Sequence, residues 1–165
     1  MPVEIRSVTP DDWERIREIR IRMIEDTPIA YVETAEAARA HGEGEWRSRG
    51  ERGIAPHSLS IAAVDESGAW VGAMGGFVDA AHGPLLVGVF VAPEVRGRAH
   101  GVADALLDRV EEWARGEGDT LTLAVHEDNA RARAFYERRG FVATGETEEY
   151  PLPPHGTEVF MRKAL

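Results

Sequence analysis

One stretch of the chain combines the residue types and spacing best suited to gripping an anion: Val89-Phe90-Val91-Ala92-Pro93-Glu94-Val95-Arg96-Gly97-Arg98-Ala99-His100-Gly101-Val102. It reads as an apolar strand, a proline stop, a small basic loop and a helix start. A loop that opens directly into a helix aims several unpaired backbone N–H groups at one point, and the helix dipole adds positive potential there. Gly97 and Gly101 let the main chain approach a phosphate closely. Arg96 and Arg98 place guanidinium groups beside the same point, although two arginines alone equally suit a solvated loop. The backbone donors from Gly97 to Val102 carry the reading. The chemistry is that of holding a phosphorylated group such as a pyrophosphate.

Further along, Asn129, Ala132, Tyr136, Gly140 and Phe141 fall on and just after a short helical stretch. A phenol such as Tyr136 can pass a proton to a leaving group, or simply pack beside Phe135. Asn129 is a good helix N-cap. His126, Glu127 and Asp128 stand at the mouth of the preceding strand, where a histidine titrating near neutrality suits a base and a solvated turn is the plainer reading. His41, His57, His82, His100 and His155 lack the helical spacing or carboxylate company of a metal site, so no metal is expected. The absence of cysteine excludes disulfides, thiolate metal sites and a cysteine nucleophile.

The elements that must position these residues follow from hydropathy patterning. Val3 to Val8 alternates as a half-buried strand. Thr9-Pro10-Asp11-Asp12 opens a helix carrying Trp13, Ile16, Ile19 and Met23 at helical spacing up to Thr27-Pro28. A second helical stretch, Thr34 to about Arg52, carries His41-Gly42-Glu43-Gly44, which predicts a kink or two shorter helices. Leu59–Val64 and Trp70–Val78 flank a short hairpin loop at Asp65-Glu66-Ser67-Gly68. Leu85 to Val91 is nearly continuous apolar sequence, as in a strand covered on both faces. The next helix has Val102, Leu106, Val110 and Trp113 on one side, with Asp104, Asp108, Glu111 and Glu112 on the wet side. Strand signals return at Thr120–His126, a short helix runs Asn129–Arg139, and Phe141–Thr144 and Glu158–Met161 read as final strands. The four tryptophans lie in these elements as packing residues.

The pattern is one α/β (α+β) domain over residues 1–165, an antiparallel meander leading into strand–helix units. The crossover from Leu85 to Val125 should be right-handed. With 43% hydrophobic and 29% charged residues the composition is that of a globular protein. No apolar run is long enough to span a bilayer and the N-terminus has no signal core, which predicts a cytoplasmic protein away from membranes. A net charge of −10 disfavours nucleic acid as a partner and is compatible with a cationic amine.

These residues together resemble the GNAT acetyltransferase superfamily, whose members move an acyl group from acyl-coenzyme A to an amine. The loop Arg96-Gly97-Arg98-Ala99-His100-Gly101 is similar to the family's cofactor loop, and Asn129, Ala132, Tyr136, Gly140 and Phe141 fill its second motif. The resemblance covers essentially the whole chain. It implies a central mixed twisted sheet of about six or seven strands flanked by about four helices, with acetyl-coenzyme A as co-substrate. Ala99 departs from the family pattern, where glycine is usual. A positive φ there would cost about 1–2 kcal/mol, and ordinary helical space nothing.

The resemblance further implies that Val89, Phe90 and Val91 lend backbone to the pantetheine arm. Arg96, Gly97, Arg98, Ala99, His100, Gly101 and Val102 would then hold the phosphates, and Asn129, Ala132 and Tyr136 complete the cofactor site. Tyr136 is placed by the sulfur as the acid. The glutamate that many members carry on the strand before the loop is missing here, which leaves His126, Glu127, Asp128, Glu33 or a water chain to bulk solvent to take the proton. The acceptor, a small-molecule or peptide amine, would enter between the first helices, near Tyr31 and Glu33, and the last strands, around Glu146 to His155. Family members often form homodimers. The missing carboxylate keeps a second reading open, a non-catalytic acyl-coenzyme A-binding or sensing module. A dinucleotide-binding oxidoreductase lacks its Gly-x-Gly-x-x-Gly spacing.

Overall fold

Seven strands form one sheet in the order β1-β2-β3-β4-β5-β7-β6 in a computed structural model that describes residues 2–165. The strands are β1 Val3–Ser7, β2 Ser58–Asp65, β3 Trp70–Asp79, β4 Gly83–Val91, β5 Thr120–His126, β6 Val142–Glu149 and β7 Thr157–Ala164. The helices are α1 Trp13–Asp26, α2 Ala35–Ala40, α3 Glu43–Gly50, α4 Val102–Arg115 and α5 Ala130–Arg138. β1 to β4 form an antiparallel meander, β5 joins β4 in parallel, and β7 and β6 continue antiparallel. None of the helices among the described residues is long and apolar enough to cross a membrane.

Local sequence explains most of these boundaries. The chain breaks at His41-Gly42, as expected, into α2 and α3. Gly140, at φ 94°, ends the last helix, because a left-handed residue cannot continue it. Core packing is set by α4, which buries Val102, Leu106, Leu107, Val110 and Ala114, each large side chain contributing about 1.5–3 kcal/mol. Its fit to β3 demands bare backbone: a Cβ on Gly76 would lie 2.6 Å from Trp113 Cζ3.

Two expectations fail for non-local reasons. Glu111 is buried, not wet, because Arg139 (2.7 Å), just after α5, and Lys163 (2.8 Å), on β7, close over it. The apolar β4 is covered on one face only: Leu86 and Phe90 are buried, while Val87 is exposed and Val89 and Val91 are half-buried. The uncovered face is the floor of the site.

Candidate active site

β4 and β5 share a single paired position, Leu85 with Thr122. Beyond it the strands diverge, β5 taking β7 as its partner up to His126. β4 is bent by a bulge opposite Met74, with Gly88 at φ 61°, a conformation that favours glycine. Ala92 N–H donates to Val71 O across the β3 ladder. By the alternation of an antiparallel pair, Val91 therefore turns its main-chain groups toward the gap.

The gap belongs to a cavity of about 1500 Å³, larger than a usual single-ligand site. One lobe is lined by Val89, Phe90, Val91, Arg96, Gly97 and Arg98 with Asn129, Ala132 and Tyr136. The other lobe lies over β2, β3 and β4 and is walled by Arg20, Tyr31, Arg49 and Arg52 on one side and Glu148, Glu158 and Phe160 on the other.

In the first lobe the start of α4 has no side-chain cap, and its first-turn N–H groups have no intrahelical acceptor. Gly97 (φ 104°) and Gly101 (φ 69°) shape the turn. Ala99 is not among the residues of positive φ, so its methyl group brings no backbone strain. Ala99, His100 and Gly101 lie on the loop outside the cavity lining, and the Val102 side chain is buried in the core, leaving only its backbone to face a ligand. Arg98 is exposed at the lobe. Arg96 is already committed: its Nε donates to Val91 O (2.9 Å) and its guanidinium pairs with Asp26. It buttresses the strand end, a correction to its reading as a free phosphate ligand.

Tyr136 is buried against Phe135 and Phe141, and its hydroxyl has no hydrogen-bond partner among the described residues. Burial, aided by nearby Tyr31, raises its pKa, so the phenol keeps its proton at neutral pH. Asn129 caps α5 by accepting from Ala132 N–H (3.4 Å) and also lines the cavity. Tyr31 donates to Val89 O (2.7 Å), tying the segment after α1 to the exposed strand.

Two expected bases are otherwise engaged. His126 is buried, with Nε2–H donating to His155 O (2.7 Å) and Nδ1 accepting from Asp128 N–H (3.1 Å). Neither nitrogen is left for a substrate, and the residue positions the β6–β7 connection instead. Glu33 does not line the cavity; it binds Arg20 (2.8 Å) and Arg49 (2.8 Å). Burial pushes its pKa up, but hydrogen bonds from Arg49 and Arg20 outweigh this and bring it to about 2. Such a carboxylate is a structural counter-charge and a poor proton acceptor.

Of the carboxylates that line the cavity, Glu158, which sequence reading passed over as a strand residue, is the buried one. It is buried, paired across the sheet with His126 on β5 and Glu148 on β6. Burial and then the charge of Glu148 raise its pKa, against a smaller effect of His126. Its only sequence signal was an acid directly before the apolar run Val159-Phe160-Met161.

A model described as the acetyltransferase (GNAT) family matches residues 13–141. The mycothiol acetyltransferase of Beutenbergia cavernae is 38% identical over 106 residues, covering 63% of this chain and 35% of that protein. The matched region thus spans about a third of that relative's length. A GNAT-family acetyltransferase from Streptococcus pneumoniae superimposes with a TM-score of 0.80 at 19% identity, covering 99% of this chain and 100% of the other. A phosphinothricin acetyltransferase from Sinorhizobium meliloti, solved in complex with AcCoA, gives 0.79 at 20% identity over 100% and 89%. At these identities the two structures establish a shared fold.

Proposed function

The chain belongs to the acetyltransferase (GNAT) family, and on that premise we propose that it moves the acetyl group of acetyl-coenzyme A to the primary amine of a small-molecule or peptide acceptor by direct attack in a ternary complex. The observation that carries this reading is the divergence of β4 and β5 beside the uncapped start of α4. One lobe thereby offers an open strand for the amide-bearing pantetheine arm and free helix-terminal donors for the pyrophosphate. The acetyl-coenzyme A bound by the Sinorhizobium meliloti relative supports the same assignment.

Backbone donors from Gly97 to Val102, with Arg98, hold the phosphates. Val91 N–H polarises the thioester carbonyl as charge develops on its oxygen. An alkylammonium must lose a proton before its nitrogen can attack, and Glu158 is the acceptor of that proton. The C–N bond forms, the C–S bond breaks, and the departing sulfur takes the Tyr136 proton. Glu158 and Tyr136 then return to their starting states by exchange with solvent. Glu158 supplies the base that β4 lacks, which removes the motive for a purely binding module.

The test is a melting curve with acetyl-coenzyme A and with coenzyme A, followed by thiol release across a panel of amines. Saturating ligand should raise the melting temperature. Tyr136→Phe should keep that shift and lower kcat by about 10²–10⁴-fold. No shift with either ligand overturns the reading, and a shift without transfer to any amine selects the binding module.

A further inference from the structure

Four carboxylates line the cavity, and two of them are matched: Asp79 binds His82, and Asp104 binds Arg138 and Arg139. The other two, Glu148 on β6 and Glu158 on β7, have no ion-pair or hydrogen-bond partner among the described residues. They stand directly opposite each other in the β6–β7 ladder. Opposed residues of an antiparallel pair share a face, with their Cβ atoms about 5 Å apart, and like charges so placed repel. The two differ in setting, Glu158 being buried and Glu148 exposed.

The other polar groups around Glu158 are spent elsewhere. His126, opposite it on β5, donates to His155 O and accepts from Asp128 N–H. Tyr150, in edge contact with His126, donates to Pro28 O (3.2 Å). His82, from the β3–β4 hairpin, stacks on Phe160 and sits between Asp79 and Glu146. The charge that bears most on Glu158 is that of Glu148, with His126 opposing it more weakly. Two carboxylates that share a site titrate as a pair: the first proton cancels the repulsion and is held tightly, the second loosely.

We infer that Glu148 is a positioning residue for the base: its charge, held opposite Glu158, makes that carboxylate the better proton acceptor, and the pair holds the proton that leaves the ammonium. Glu158 takes the proton inside the cavity, and water removes it at the exposed edge of the pair where Glu148 stands. Nothing but the proton is transferred. The inference rests on the transferase reading above and on Glu158 as its base.

The experiment follows the glutamate carboxyl carbons of the full chain by NMR as pH is lowered, with no acceptor present. In the native protein the Glu158 signal should move in two steps, one of them shared with Glu148, and Glu148→Gln should leave a single step at lower pH. Thiol release with the fastest amine of the panel is the second readout. On the acid limb, Glu148→Gln should retain about twofold to fivefold more of its own plateau kcat/KM than the native enzyme, the equivalent of about 0.4–1 kcal/mol of cross-strand repulsion. Glu148→Lys should move the limb further the same way and Glu148→Asp should hold it near its native position, an order by charge that a packing role would not produce. A Glu158 signal or an acid limb that stays in place in both Glu148→Gln and Glu148→Lys overturns the inference. A limb that survives Glu158→Gln removes Glu158 as the base and the inference with it, while an intact acetyl-coenzyme A melting shift leaves the transferase reading standing. Absence of that shift from the native protein removes the transferase reading itself.

Discussion

The two lobes of the cavity are built from different material. Apart from Arg98, Asn129 and Tyr136, the first grips with main chain: consecutive N–H groups at the start of α4, and the strand edge that β5 leaves bare. The second is side chains drawn from distant points, Arg52 after α3, Tyr31 after α1 and Glu158 on β7. A backbone nest is a property of a contiguous segment and tolerates most side-chain changes. A side-chain constellation exists only once the sheet has closed, and each member can be exchanged separately. One frame can therefore keep its acyl donor while the acceptor side is rebuilt.

The sharpest way to break that contrast is Glu158→Gln. If Glu158 is the base, the variant loses about 10²-fold or more in kcat/KM while acetyl-coenzyme A still raises the melting temperature. The pH profile carries the sign. Burial and Glu148 raise the Glu158 pKa, so native kcat/KM should fall with decreasing pH through a value above the usual carboxylate range, and the variant should lose that limb. A variant that bound acetyl-coenzyme A poorly but kept its acid limb would place Glu158 in the wrong lobe.

The same contrast explains what could be read before the fold was known. The strand–loop–helix from Val89 to Val102 and the Asn129–Phe141 motif were legible because their geometry is local: a proline stop, two glycines, an N-cap. Helix and strand order followed from periodicity for the same reason. Glu111 was misplaced because the α4 pattern cannot register Arg139 and Lys163 arriving from elsewhere. Val87 and Val89 look like core in sequence, since a cavity floor and a buried face use the same residues. Arg96 reads as a phosphate ligand until Asp26 is seen beside it, and Glu33 reads as a base until Arg20 and Arg49 close on it.

Glu33→Gln tests the second lobe as a scaffold, with a smaller effect. Removing the shared counter-charge leaves Arg20 and Arg49 facing each other and Arg52, for a loss of about 1–3 kcal/mol after allowance for solvent screening. The Glu33 pKa is depressed to about 2 in the folded chain, so its contribution is fully present above the ordinary carboxylate pKa and fades as pH falls from there toward 2. Urea midpoints at neutral and acid pH should show the deficit shrinking in acid. Acetyl-coenzyme A binding should persist at neutral pH, and its loss would show that the two lobes are mechanically coupled.

The smallest expected effects separate the residues of the nest itself. Gly101 holds φ 69°, so Gly101→Ala forces a strained conformation costing about 1–2 kcal/mol. To whatever extent the loop relaxes to relieve it, the first-turn N–H groups swing off their common point. Acetyl-coenzyme A should then bind about fivefold to thirtyfold more weakly by titration calorimetry. Ala99 departs from the family pattern but is not among the residues of positive φ, so Ala99→Gly relieves nothing and should change affinity by less than about twofold. If Ala99→Gly tightened binding while Gly101→Ala left it alone, the methyl group at residue 99 would be the obstacle to the pyrophosphate. The first lobe would then depend on a side chain as closely as the second does.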